Sequence, residues 1–281
     1  MKYKFLILNL IGLLYIQDLN ASTSGNCGPR SGLGTNEDPY VYNSNCTYEY
    51  DADTKTLTIS GEGQMSGFSY VGDVEQSDAP WRGLGYENVI ISEGITSIGN
   101  FAFRNSSVKS VTLPESLTDI GVYAFNGTDL AQVNLPNKPI NIYDGAFAAT
   151  KLSSITLPEG LVNMPHRMLE STEITELVIP ASVTNISETV FAYSTVTRPI
   201  IQKIYCSTIQ MAQCEAAVAY RGEDIEIEEY QTDGNTYFYN NHWYTSPSDI
   251  IGDSHIKKRI YTIDEANRVA GQKNRVSIKY R

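Results

Sequence analysis

A block of 22 residues recurs five times between residues 86 and 195, and nothing else in the chain limits its possible folds as tightly. Val108, Val111, Leu113, Leu117, Ile120, Ala124 and Phe125 each have a counterpart 22 residues away in the neighbouring units. The units open with Tyr86/Val89/Ile91, Val108/Val111/Leu113, Leu130/Val133/Leu135, Leu152/Ile155/Leu157 and Ile174/Leu177/Ile179. Of the 35 positions in these seven columns, 34 are apolar, whereas a chain that is 41% hydrophobic would place about 14 there by chance. The exception is Pro139 in the third unit.

Alternation of Val111 and Leu113 with Ser110, Thr112 and Pro114 describes a short strand with one face inward. A lone unit cannot bury that face, so consecutive units must stack, placing equivalent strands about 4.8 Å apart in a parallel sheet over one continuous core. Pro114, Pro136, Pro158 and Pro180 end the first strand of their units, where a missing donor costs least. The Ile98/Ile120/Ile142 column predicts a second short extended segment, and the Ala/Phe pair anchors the turn back. The fold class expected is mostly β: a solenoid of 22-residue units, capped at both ends, with a small C-terminal α+β module. The outward positions form two rows, Asn88, Ser110, Gln132, Ser154 and Glu176 beside Ile90, Thr112, Asn134, Thr156 and Val178. Such rows suit a ligand spread over several repeats; equally, they are residues that form strands well.

The units Val89–Phe103 and Val111–Phe125, with Leu57–Met65 and Ala79-Pro80-Trp81 leading into them, resemble the BspA-like class of leucine-rich repeats. The likeness covers about residues 57–205. It departs from ordinary leucine-rich repeats, which carry an asparagine where this chain has Gly94, Ser116, Lys138, Gly160 and Ser182, and repeat four departs further at Pro165-His166. The resemblance implies a secreted or surface-displayed bacterial or protozoan binding protein, with adhesion its commonest proposed role. It carries over no catalytic residue.

Residues 1–21 read as a secretory signal peptide: a basic start at Lys2 and Lys4, an apolar run from Phe5 to Ile16, and small residues at Ala21-Ser22-Thr23. The run is too short to span a bilayer comfortably, and no other segment predicts a transmembrane span. Export to an oxidising space favours two disulfides, Cys27 with Cys46 and Cys206 with Cys214, over a zinc site, since no histidine lies near a cysteine and no Cys-x-x-Cys occurs. No metal or cofactor is expected.

Residues 22–85 read as an N-terminal cap, with Thr47–Tyr50 and Thr56–Ile59 forming a hairpin. The repeats occupy 86–195, a C-terminal cap containing a helix from Ile209 to Arg221 occupies 196–222, and 223–281 forms the small module. In that module Thr236–Tyr244 is a hairpin with Asn240-Asn241 at its tip. Thr262–Glu265 is a capping box opening a helix stopped by Gly271, and Arg275–Arg281 is a final strand. Tyr237, Phe238, Tyr239, Trp243 and Tyr244 are either the module's core or rings for stacking on sugars.

The formal charge of -11 conceals an asymmetry, because residues 255–281 carry eight Lys/Arg against two Asp/Glu. Lys257, Lys258, Arg259, Arg268, Lys273, Arg275, Lys279 and Arg281 form either an anchor to an anionic envelope polymer or a complement to the acidic solenoid. The acidic remainder excludes a nucleic-acid partner, which needs a broad positive footprint. His166, His242 and His255 are scattered, and no nucleophile motif or phosphate loop is present, so the chain does not read as an enzyme. The partner expected is an extracellular protein or glycan; the alternative is a structural envelope protein assembling through its basic end.

Overall fold

The computed structural model describes residues 24–31, 41–42, 44–71, 76–192, 201–221, 225–232, 237–239, 242–244 and 259–262. The segment 1–21, expected to be a signal peptide, lies outside them. So do residues 263–281, with the helix and last strand expected there and all of the expected capping box except Thr262, and Lys257, Lys258, Arg268, Lys273, Arg275, Lys279 and Arg281. Of the anchoring candidates only Arg259 is described, on the strand Arg259–Thr262.

The chain winds into a β-solenoid of about six turns, one more than the five repeats. The extra coil comes from the N-terminal cap. Thr56–Ser60 pairs in parallel with Asn88–Ile91 of repeat one, and Gly63–Gln64 pairs with Ile95–Ile98. The same strand is antiparallel to Thr47–Asp51, which is antiparallel to Ser24–Asn26, so the expected hairpin both starts the coil and covers its end. Asp51 tightens the hairpin turn, accepting from the Asp53 and Thr54 backbone. The Cys27–Cys46 disulfide closes the loop between these strands.

Each coil has three sides. On the first-strand face Asn88–Ile91 pairs with Ser110–Thr112. The parallel sheet expected through all five units stops there, because residues 132–134 and 154–156 form no ladder, although Val133 and Ile155 stay buried at 7% exposure. Side-chain columns hold register across those two coils. Pairing resumes at Glu176–Val178, which lies parallel to Lys203–Ser207. On the second-strand face Ile95–Ile98, Asp119–Ile120 and Asn141–Ile142 pair in parallel, as do Asn163–Met164 and Asn185–Ile186.

The turn side carries the unbroken ladder. Phe103, Phe125, Phe147 and Leu169 donate N–H to Ala124, Ala146, Met168 and Val190 at 2.8, 2.9, 3.2 and 3.1 Å. Two left-handed columns shape it: Phe101, Tyr123, Gly145 and Arg167, then Asn105, Gly127, Ala149 and Ser171, all with φ between 50° and 70°. Left-handed backbone costs an L residue about 1–2 kcal/mol. Cross-coil hydrogen bonds and packing offset that cost. Glycine is required at 145, where a Cβ would come within 2.2 Å of the Tyr123 ring.

Inside the turn side the rings of Trp81, Phe103, Phe125 and Phe147 stack at 5.6, 5.2 and 5.7 Å. Trp81 stands 22 residues before Phe103 and fills the phenylalanine place of the extra coil, with its indole N–H donating to Ala102 O at 2.8 Å. At the corner where ordinary leucine-rich repeats use asparagine, Ser116 and Ser182 do the bonding: their hydroxyls accept from Gly94 and Gly160 N–H one coil earlier, at 3.0 and 3.1 Å. In repeat three the exposed Pro139 is replaced in the core by Ile140, at 4% exposure, after a tight Pro136–Lys138 turn.

Beyond repeat five, Lys203–Ser207 continues the first-strand sheet, and the helix Met211–Arg221 replaces the second strand. The Cys206–Cys214 disulfide ties helix to strand. Glu226–Thr232, expected to open a separate module, pairs in parallel with Lys203–Ser207. Tyr230 is fully buried, and its hydroxyl donates to Ile179 O of repeat five. The hairpin Tyr237–Tyr239/His242–Tyr244 and the strand Arg259–Thr262 extend the same sheet. The aromatic side chains of that hairpin lie outside the described residues.

Candidate ligand-binding surfaces

On the first-strand face the outward rows fall into three zones. At the N-terminal end Asn88 donates to Thr54 O and accepts from Ser110 Oγ at 2.7 Å, so it is held by its neighbours. Ile90 is 40% exposed. In the centre, Ser110, Gln132, Ser154, Thr112, Asn134 and Thr156 are all exposed. At the C-terminal end the row closes: Glu176 is half-buried and Val178 is only 5% exposed, which removes Val178 from the expected surface. The strand registered against it brings Tyr205 alongside, and the Tyr205 hydroxyl donates to Glu176. Lys203 lies over the Tyr205 ring and pairs with Glu226 at 3.0 Å and Glu228 at 3.6 Å. Glu226 raises the Lys203 pKa, and Lys203 lowers that of Glu226.

Three coils meet at Glu87, whose carboxylate bonds Lys109 at 2.8 Å and Lys55 at 2.6 Å. Lys109 first and Lys55 second hold its pKa down at about 2, against an ordinary 4.5. A depressed carboxylate pKa contributes stability that is complete above 4.5 and lost as pH falls through the folded value. The melting-temperature difference between the parent and Glu87→Gln is therefore expected to be small but present at pH 7, to shrink below pH 4.5, and to disappear near pH 2. An equal offset at pH 2 and pH 7 in thermal melts would contradict it.

The second-strand face carries a row that the sequence reading passed over: Ser97, Asp119, Asn141, Asn163 and Asn185, spaced by 22. Asn141 Nδ2 donates to Asp119 Oδ1 at 3.0 Å, and Asn185 Nδ2 to Asn163 Oδ1 at 2.8 Å. Among the described residues no hydrogen bond joins Asn141 to Asn163, and none joins the backbones of repeats three and four on this face. The cause is chemical. Gly121, Tyr143 and Ser187 each donate N–H to the coil before, at 2.9, 3.0 and 2.9 Å, and the equivalent residue of repeat four is Pro165, which has no N–H for Ile142 O. Two hollows adjoin the opening and share Asn163 and Pro165. One, of about 310 Å³, is lined also by Ile140–Tyr143; the other, of about 510 Å³, by Met164, Asn185–Ser187 and Gln213. Tyr143 is 45% exposed. Three consecutive asparagines at the repeat period, with proline breaking the next column, were the available signals.

Among the described residues no group of three or more His, Cys, Asp or Glu converges on a metal-sized site, and no helix is long and apolar enough to cross a membrane.

Parallel strands stacked at a 22-residue period over continuous leucine, isoleucine and phenylalanine columns define a leucine-rich-repeat solenoid. Its repeats are of the BspA kind: residues 81–197 match the family model for the BspA type leucine rich repeat region, in six copies. The fold is similar to a leucine-rich repeat protein from Eubacterium ventriosum (22% identity, 77% of this chain and 48% of that one, TM-score 0.49). It is also similar to a leucine rich cell surface protein from Faecalibacterium prausnitzii (19%, 73% and 57%, 0.34) and to the pneumococcal vaccine antigen PcpA (15%, 77% and 55%, 0.40). The chain thus spans about half the length of these three proteins. No curated protein matches it.

Proposed function

We propose that this chain is an exported, surface-displayed repeat protein that binds a macromolecular ligand, protein or glycan, and serves adhesion. The observation that carries this reading is the central zone of the first-strand face. Six exposed polar side chains, Ser110, Gln132, Ser154, Thr112, Asn134 and Thr156, stand in two rows with the core columns behind them. Their own neighbours hold the rows at each end, so the free surface is three coils wide. A flat, extended and polar surface favours a large ligand over a small molecule in a pocket. Two disulfides and the apolar N-terminal segment support export.

The test is the double substitution Gln132→Arg/Ser154→Arg, which leaves every core column intact. Attachment of the purified protein to a cell or matrix fraction is expected to fall about tenfold or more with an unchanged melting temperature. If attachment is unchanged and deletion of 255–281 abolishes it instead, the adhesive reading gives way to envelope anchoring through the basic segment, which includes the sheet strand Arg259–Thr262.

A further inference from the structure

We propose that the opening in the second-strand face between repeats three and four is a separate binding site for a neutral oligosaccharide chain. The site goes beyond the first-strand surface and shares no residue with it. Both departures from the repeat pattern fall here. Pro139 moves Ile140 into the core, and Pro165 withholds the N–H that would close the sheet against Ile142 O. Strand pairing ends at Asn141–Ile142 and restarts at Asn163–Met164, so an amide acceptor of Asn141 and the amide donors of Asn163 are exposed at the same opening, without partners among the described residues. Beside them, the half-exposed Tyr143 ring and Pro165 line the first hollow, and Asn185, Ser187 and Gln213 line the second.

Those groups match a sugar's chemistry. A pyranose presents an apolar face of C–H bonds, which an aromatic ring or proline covers, and a rim of hydroxyls that both donate and accept. Planar amides meet such a rim with one donor and one acceptor side. The hollows run across repeats three, four and five, and an extended β-1,4-linked hexose has a length close to the strand spacing of about 4.8 Å, so one sugar would sit on each coil. No Lys or Arg lines either hollow, which favours a neutral chain over an acidic one. A folded protein partner would need a broad apolar anchor, and the lining offers one aromatic ring.

The experiment is calorimetric titration of the full chain with chitotetraose, cellotetraose and mannotetraose. At least one is expected to bind with a Kd of about 1 mM or tighter. Tyr143→Ala is expected to weaken that binding about tenfold, while Tyr143→Phe, which keeps the ring, binds as the parent. Asn163→Ala weakens it several-fold, and so does Pro165→Ser, which restores the donor present at Ser187. The Gln132→Arg/Ser154→Arg variant, altered only on the other face, binds the saccharide normally. Failure of all three saccharides to bind, or parent-like binding by both Tyr143→Ala and Asn163→Ala, overturns the proposal. Either result leaves the first-strand adhesion reading intact, since that is scored by attachment of the other variant.

Discussion

Phe125→Ala is expected to destabilise the solenoid by about 3–5 kcal/mol. The ring is fully buried and lies in the middle of a stack, 5.2 Å from Phe103 and 5.7 Å from Phe147, nearly parallel to both. Its removal leaves a cavity that the neighbours cannot fill, because their backbone is fixed on each side by the turn-side ladder: Phe125 N–H donates to Ala146 O, and Phe103 N–H to Ala124 O. Between repeats two and three the first-strand face forms no ladder, so the stack, the turn-side ladder and the short pair Asp119–Ile120/Asn141–Ile142 are the main links there. In a solenoid each coil contacts only its neighbours, and a weak central link divides the array. Urea unfolding followed by circular dichroism is accordingly expected to broaden or split in Phe125→Ala, while Trp81 fluorescence, read in a Trp243→Phe background, reports the N-terminal coils separately. Phe125→Leu, which preserves most of the volume and has a natural precedent at Leu169, should cost much less. A single sharp transition within 1 kcal/mol of the parent in Phe125→Ala would show that the coils are held by something other than the stack.

Which parts of this molecule the sequence made legible follows from periodicity. Columns such as Ile98/Ile120/Ile142 and Phe103/Phe125/Phe147 repeat because each must fill the same place in the core, so solenoid, inward faces and coil height could all be read directly. The place of Trp81 was hidden by a change of residue type, although its spacing from Phe103 is the same 22. The extra coil was hidden by an insertion: 32 residues separate Leu57 from Val89, its strand partner. At the other end, the strand Glu226–Thr232 alternates as an edge strand would, and it takes the parallel pairing with Lys203–Ser207 and the burial of Tyr230 against Ile179 to show that it continues the same sheet.

The candidate surfaces were less legible for a related reason. Outward positions answer to no packing rule, so Val178 looked equivalent to Thr156, and nothing local announced that Tyr205 would cover it. The second-strand face was marked only by exceptions. Proline in place of a donor at 165 and the one-residue shift from Pro139 to Ile140 look like imperfections in a column. In three dimensions they coincide at one opening. In repeat proteins a break in the pattern is informative in proportion to the strictness of the pattern around it.

The helix that ends the solenoid supplies the other large effect, centred on Gln210. This side chain is 2% exposed and makes four hydrogen bonds: its Nε2 donates to Pro180 O at 2.6 Å and Val183 O at 2.8 Å, and its Oε1 accepts from Ser207 N and Oγ at 3.0 and 2.8 Å. It thereby joins the corner of repeat five to the start of the helix. One turn on, Gln213 completes the seal by imitating a strand, accepting from Ile186 N at 2.7 Å and donating to Thr184 O at 2.9 Å. Without that cover the second-strand face would end in an open edge able to recruit another chain. Gln210→Ala strands the Val183 carbonyl and the Ser207 N–H in the interior, while Pro180 O keeps the Val183 N–H at 3.0 Å; each stranded group costs about 1–3 kcal/mol, so a loss of about 3 kcal/mol is expected. That corresponds to a melting temperature about 6–12 °C lower. With the corner released, the helix stays linked to the coil through Cys206–Cys214 but no longer holds Gln213 over Ile186. Size-exclusion chromatography of Gln210→Ala should then show multimers that grow with concentration, and Gln213→Ala should show the same at a smaller cost in stability. If Gln210→Ala melts with the parent and elutes as the parent does at every concentration, the helix is not what closes the solenoid.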